Sequence, residues 1–273
     1  MERLVTQDPL SAAEDAPADR VPWPNQERYD AGDVVLFHAP PTSPRNGRAS
    51  RIRFDPSTAD RRIEEVRAWF AGYGRDAFLW SVGASATPAD LVERLRAHGA
   101  TPHPREPVVT PLVLDHEPPS APGVAVRQVD TFEDYRLAWE VDLAGSDAPA
   151  AIHEELLARL VEDWPYFRAD AHQQAYLASL DGVVVAYGLL AIPLAGPPYL
   201  AGAATVPSAR GRGAYRALVR RRWDDCVRRG TPILTAQAGD DARPTLERIG
   251  FRAGPPIHVL LDHAAGTAPV RSG

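Results

Sequence analysis

Apolar and polar positions alternate along the chain in blocks whose length and period mark the elements. In the first half, 34–38 and 51–54 read as short strands, and Asp55-Pro56 supplies an N-cap and first-turn proline for a helix reaching Phe70. An apolar run at 77–82 is the next strand. Thr87-Pro88 then starts a helix through His98, Gly99 ends it, and 108–115 reads as a closing strand. The run 116–123, His-Glu-Pro-Pro-Ser-Ala-Pro-Gly, continues neither a helix nor an interior strand and is read as a linker.

Past the linker the pattern predicts a strand at 124–128 and a helix to about Leu143, capped by Asp130 with Glu133. A second helix at 150–164 is started by Asp147 and Pro149. Two apolar runs, 175–180 and 183–190, flank Asp181-Gly182, a dipeptide that supplies the positive φ of a type I′ hairpin. A strand at 199–206, a Gly/Arg turn at 210–213 and a helix to Arg229, stopped by Gly230, come next. A strand at 233–237, a helix at 243–249 and a strand at 257–262 complete the order. This is a layered α/β domain of about 140 residues. The tails, 1–26 and 263–273, are polar or proline-containing and are expected to be disordered.

The halves echo each other. Trp80-Ser-Val82, Pro88, Leu91-Val-Glu-Arg-Leu95 and Gly99 match in flavour Leu234-Thr-Ala236, Pro244, Leu246-Glu-Arg-Ile249 and Gly250. Each series ends in a similar strand, 111–115 against 258–262, which reads as a tandem duplication.

Composition narrows the chemistry. The 273 residues contain no lysine, so all 30 basic residues are arginine. That excludes Schiff-base chemistry, lysine-dependent phosphate loops and a lysine base. The usage fits a GC-rich bacterial genome. A net charge of −6 argues against a nucleic-acid partner. The single cysteine, Cys226, allows no internal disulfide, as in a reducing cytoplasm. No stretch approaches the ~20 apolar residues of a membrane span, and the first 26 residues lack a signal-peptide pattern.

Against that acidic background, 210–229 carries eight arginines and two aspartates. The turn Arg210-Gly-Arg-Gly213, between an apolar strand and a helix, leaves backbone N–H groups uncovered for one anion. It lacks the lysine of a Walker loop and the third glycine of a dinucleotide fingerprint.

Arg210-x-x-Gly213, ahead of Ala217-Leu218, resembles the acyl-CoA signature R/Q-x-x-G-x-G/A of the GCN5-related N-acetyltransferases, the GNAT family. Gly250-Phe251 after 246–249 resembles the family's later helix and its ending. The resemblance implies two tandem GNAT-like domains, each a mixed, mostly antiparallel sheet flanked by helices. Residues 27–115 form a degenerate copy, 116–123 the linker and 124–262 the acyl-CoA-binding copy. It implies acetyl-CoA, or another acyl-CoA, as co-substrate, and direct acyl transfer to the primary amine of a small molecule. Pantetheine would pair with Ala204, Thr205 and Val206. The pyrophosphate would sit on the N–H groups of Arg210, Gly211, Arg212, Gly213, Ala214 and Tyr215, with Arg216 and Arg220 the candidates for the 3′-phosphate.

Two positions depart from the signature. Tyr215 replaces a glycine or alanine, and Leu246 stands where many relatives carry the tyrosine that protonates the thiolate. The candidate acid–base groups are therefore Tyr199, at a position where some relatives carry a carboxylate; Glu162, beside Asp163 at a helix end; and His258 or His153, as the side-chain type suited to act as a base near neutral pH. Each has a plain alternative: a rim aromatic, a solvated carboxylate, a strand histidine. The histidines 98, 103 and 116 have no metal-ligand spacing, so no metal is expected. Acidic residues outnumber basic ones about three to one over 133–170, which favours a cationic acceptor. The competing reading from another class is an acyl-CoA sensor without turnover. A cytoplasmic monomer or homodimer is expected, with no nucleic-acid or membrane partner.

Overall fold

The computed structural model describes residues 8–40, 46–145 and 150–264. Its elements are α1 (Pro9–Asp15), β1 (Glu27–Asp30), β2 (Val35–His38), β3 (Gly47–Ser50), α2 (Ala59–Gly72), β4 (Ala77–Val82), α3 (Leu91–Ala97), β5 (Thr101–Pro102), β6 (Val108–Leu114) and β7 (Ala125–Gln128). Then follow α4 (Phe132–Ala144), α5 (Ala150–Ala169), β8 (Gln173–Leu180), β9 (Val183–Ala191), β10 (Tyr199–Thr205), α6 (Ala214–Arg228), β11 (Leu234–Ala238), α7 (Arg243–Ile249), β12 (Arg252–Ala253) and β13 (Ile257–His263). They divide into two units. One comprises Met1–Leu112, Gln237–Pro244 and Ala253–Gly273; the other comprises Val113–Ala236 and Thr245–Arg252.

In the N-terminal unit, β1, β2 and β3 pair antiparallel, β3 pairs parallel with β4, and β4 pairs antiparallel with β13. β13 also pairs with β5 and β6. The strand expected to close the C-terminal domain thus belongs, by its pairing with Ala77–Val82, to the N-terminal unit. Every residue of β4 is buried, and Phe78 stacks on Phe70 of α2 with ring centroids 4.1 Å apart. Full burial of such a side chain contributes roughly 1.5–3 kcal/mol. Asp262, a carboxylate buried beside β4, accepts from Trp80 Nε1 at 2.8 Å and pairs with Arg67 at 2.8 Å, so its charge is compensated.

Several expectations are corrected here. Residues 9–15 are a helix, capped by Asp8 accepting from the Ser11 N–H at 3.1 Å, and Ala12, Ala13, Ala16 and Ala18 are buried. The disorder expected over 1–26 therefore fails from residue 8 onward, because small alanines bury without an apolar signature. Residues 1–7 and 265–273 lie outside the described residues. The strand expected at 51–54 instead lies at Gly47–Ser50, and Arg51 leaves it with φ +50°. Asp55 accepts from Ser57 in a local turn, so α2 starts only at Ala59. Thr87 pairs with Arg53 in an isolated parallel bridge, which delays α3 to Leu91.

In the C-terminal unit, β7, β8, β9 and β10 pair antiparallel in sequence order, and β10 pairs parallel with β11. The hairpin at Asp181-Gly182 has φ of +52° and +82°, the two positive values that a type I′ turn needs. Thr131, not Asp130, caps α4, accepting from the Asp134 N–H at 3.1 Å. α5 runs through Pro165 to Ala169; its expected starters, Asp147 and Pro149, lie outside the described residues. Side chains alternate across a strand. A Cβ at Gly188 would stand 2.9 Å from Arg222 Cζ of α6, whereas one at Gly145, just past α4, would meet the Ala204 Cβ at 3.0 Å. Since Gly188 faces opposite to Tyr187, and Tyr187 pairs with Ala204, α4 and α6 cover opposite faces of this sheet.

Candidate active site

β10 is the strand that creates the site. It pairs with β9 along its whole length, from Tyr199↔Ala191 to Thr205↔Ala186, but with β11 only at Tyr199↔Thr235 and Leu200↔Ala236. Beyond Leu200 the side of β10 away from β9 has no strand partner within the unit. The Val206 N–H donates to Val185 O at 2.9 Å. By antiparallel alternation, Ala204 and Gly202 also face β9, and the N–H groups of Ala203 and Thr205 point to the open side. Val206, expected among the pantetheine contacts, thus has its donor occupied. Ala204 keeps a place on the strand but turns its backbone to β9.

A bulge sits between Leu200 and Gly202. The extra residue resets the alternation, so that Tyr199, Gly202 and Ala204 share the face covered by α4. Tyr187 of β9 lies on the same face, and a Cβ at Gly202 would stand 2.9 Å from its hydroxyl oxygen. A side chain at 202 would require that hydroxyl to shift.

The turn to α6 supplies the second part. Gly211 and Gly213 have φ of +78° and +90°, values costly for any other residue. Gly213 is the N-cap and has no side chain to satisfy the first turn of the helix. The N–H groups of Ala214, Tyr215 and Arg216 therefore lie at an uncapped helix start, and Ala217 N–H is the first to bond back, to Gly213 O. The N–H groups of Arg210 and Arg212, by contrast, donate within the turn to Pro207 O and Ala209 O at 3.3 and 3.4 Å. This cradle fits a diphosphate: it presents fixed donors at the positive end of a 15-residue helix.

The arginines divide sharply. Arg220 is held by Glu117 at 2.5 Å and Asp224 at 2.9 Å, and Arg221 and Arg228 pair with Asp225. Arg220, a candidate for the 3′-phosphate, is thus engaged with the 116–123 stretch and with Asp224 through part-exposed ion pairs. Arg216 is exposed, and its Nη2 lies 3.5 Å from where a Gly213 Cβ would be, over the turn. Arg210 stays on the turn, its Nε 3.4 Å from Thr205 O. Arg212 makes an exposed pair with Asp181 at 3.3 Å.

Arg222 is fully buried beneath Gly188. Its Nε and Nη1 donate to Leu218 O and Leu189 O, and its Nη2 has no partner among the described residues. Burial lowers its pKa, and the ring of Tyr215 lies 5.8 Å from its Cζ. Cys226 is buried on the same helix and burial pushes its thiol up to about 12, so it cannot serve as a thiolate nucleophile.

The proposed acid–base groups separate. Tyr199 is half-buried on β10 itself, on the α4 face. Glu162 is exposed on α5. His258 pairs with Val82 and Val108 on β13, in the N-terminal unit. His153 lies on α5. Leu246 is 2 % exposed and belongs to the interior. Ala203 and Tyr187 have no mark of their own in the sequence, because the bulge in β10 sets which of its residues share a face with Tyr187; a glycine within 199–205 is the one local sign of it, and Arg222 is set apart only by its burial on α6. Among the described residues no group of three or more His, Cys, Asp or Glu is placed to hold a metal ion.

A family model for the Acetyltransferase (GNAT) family matches residues 131–251, which contain the splayed strand, the glycine turn and α7. Residues 131–251 are thus similar to a GNAT domain. The GNAT fold extends further than that match. A GCN5-related N-acetyltransferase from Kribbella flavida superposes with a TM-score of 0.69 at 20 % identity, covering 96 % of this chain and 98 % of the other. A tandem GNAT protein from the clavulanic acid biosynthesis pathway gives 0.59 at 16 % identity, covering 98 % and 91 %. A GCN5-related N-acetyltransferase from Sphaerobacter thermophilus gives 0.59 at 16 % identity, covering 85 % and 81 %. No curated protein matches the chain. No helix among the described residues is long and apolar enough to cross a membrane.

Proposed function

We propose that the protein is an acyl-CoA-dependent N-acetyltransferase that passes an acyl group directly to the primary amine of a small molecule. The splay of β10 from β11 carries this reading, because it leaves the Ala203 and Thr205 N–H groups open beside an uncapped, glycine-led helix start. Pantetheine amides pair with that open edge, the diphosphate rests on the N–H groups of 213–216, and Arg216 contributes charge.

The amine attacks the thioester carbonyl, the C–N bond forms, and the oxygen takes up negative charge facing the Ala203 N–H. Such a fixed donor stabilises the oxyanion without reorganisation. Collapse breaks the C–S bond, and the amine's surplus proton passes, through water, to the departing thiolate. Holding both substrates in place supplies much of the acceleration, ~7 kcal/mol or more in well-oriented cases. Tyr199, on the α4 face of β10, is a strand-borne group able to order that water. The acidic excess of α4 and α5 favours a cationic amine.

Thiol release from acetyl-CoA against a panel of amino sugars, polyamines and amino-acid derivatives tests the reading. Turnover with one class supports it; absence of CoA binding by calorimetry overturns it. The second reading, an acyl-CoA sensor, is favoured by the burial of Leu246 at the usual proton-donor position. It predicts tight CoA binding with no thiol release for any amine.

A further inference from the structure

The hydroxyl of Tyr187 makes no hydrogen bond among the described residues, although it belongs to a half-buried side chain on a central strand. It projects across β10 to the space above Gly202, where a Cβ would come within 2.9 Å of it. Gly202 is the residue immediately before Ala203, whose N–H faces the open edge. A side-chain donor and a backbone donor thus stand one residue apart beside the place where the strand pairing ends. The bulge at Ala201 puts Gly202 in phase with Tyr187 and Tyr199; without it, that position would face α6.

We propose that Tyr187 is a catalytic residue that donates a hydrogen bond to the acyl carbonyl oxygen of the bound thioester, sharing that oxygen with the Ala203 N–H. This rests on the acyl-CoA reading above. The phenol stays neutral, since burial and the nearby Asp142 both push its pKa up, with Arg222 opposing. A neutral phenol of that kind donates without losing its proton. Its contribution grows as the oxygen gains charge in the transition state. The position also explains why β10 carries a glycine at 202: any side chain there displaces the hydroxyl.

The test needs no acceptor. For the full chain, Tyr187→Phe is expected to weaken acetyl-CoA binding about five- to tenfold, the range of one lost hydrogen bond, and to leave affinity for free CoA within about twofold. The carbonyl stretch of bound, 13C-labelled acetyl-CoA should move to higher frequency in the variant. Gly202→Ala, which leaves the hydroxyl but crowds it, should reproduce the selective loss if Tyr187→Phe fails to fold. Equal changes for CoA and acetyl-CoA, or no change in either affinity or stretch, overturn the role of Tyr187 and leave the acyl-CoA site standing. Failure of the wild-type chain to bind either ligand overturns the site and the proposal together.

Discussion

The two units repeat one connection and treat it in opposite ways. Each has an antiparallel pair leading to a strand that runs parallel to the next: β3 with β4 in the N-terminal unit, β10 with β11 in the C-terminal unit. After β10 the edge stays open. After β3 it is filled by the protein's own backbone. Thr87 donates its N–H to Ile52 O at 3.2 Å, accepts from the Phe54 N–H at 3.1 Å, and adds a side-chain bond to Phe54 O at 3.0 Å. Arg53 reinforces the closure with a 2.6 Å bond to Ser85 and a pair with Asp15. The turn that follows has Asp55-Pro56 in place of glycines, so no left-handed residue exposes the N–H groups at the start of α2. In the N-terminal unit this edge is closed; in the C-terminal unit it stays open, as the proposed pantetheine arm needs.

That contrast can be broken at several points. The largest effect is expected from Phe78→Ala in the N-terminal core, about 3–5 kcal/mol of stability by the usual cost of deleting a buried aromatic ring. Thermal or urea unfolding measures it, and CoA affinity below the transition should be unchanged. A matching loss of affinity would give the N-terminal unit a part in binding. Next, Gly213→Val should weaken CoA binding a hundredfold or more, because the side chain strains φ +90° and enters the phosphate seat. Calorimetry on the wild type should saturate at one CoA per chain; two per chain would show that Thr87 does not close the first copy.

Arg216→Ala should cost about five- to tenfold in CoA affinity, as the loss of one charge-assisted contact. Arg220→Ala should leave it within twofold, since that guanidinium is already committed to Glu117 and Asp224. The smallest effect concerns Asp115, whose pKa is held below the usual range first by its hydrogen bond to Arg252, 2.6 Å away, and then by His116. A carboxyl with a lowered folded pKa adds stability that is present above its unfolded value and disappears as pH falls through the folded one. Arg252→Ala should therefore raise the Asp115 carboxyl titration seen by NMR and trim stability only slightly, without altering its acid limit.

Much of the C-terminal unit was readable from local chemistry. Asp181-Gly182 dictates its hairpin because two successive positive φ values exclude most other pairs. Gly230 stops α6 with φ +77°, and Gly211 and Gly213 mark the turn before it. The engagement of Arg220 is not legible in the sequence, because its partner Glu117 lies about a hundred residues earlier, in a stretch that reads only as a linker. The N-terminal helix is not legible in the sequence, because alanines give no apolar period and the residues that bury them are distant along the chain.

The sequence by itself determined the order of the main elements from residue 124 onward, the glycine turn, the absence of lysine chemistry and the resemblance to the GNAT family. These depend on dihedral preferences and side-chain identity, which act within a few residues. Tertiary structure alone decided that β13 completes the N-terminal unit, that Thr87 seals one cleft while its counterpart stays open, and that a bulge turns Tyr187, Tyr199 and Gly202 to one face. Strand partners and facing are set by pairing across long stretches of chain, and a one-residue shift in register reverses every side chain beyond it.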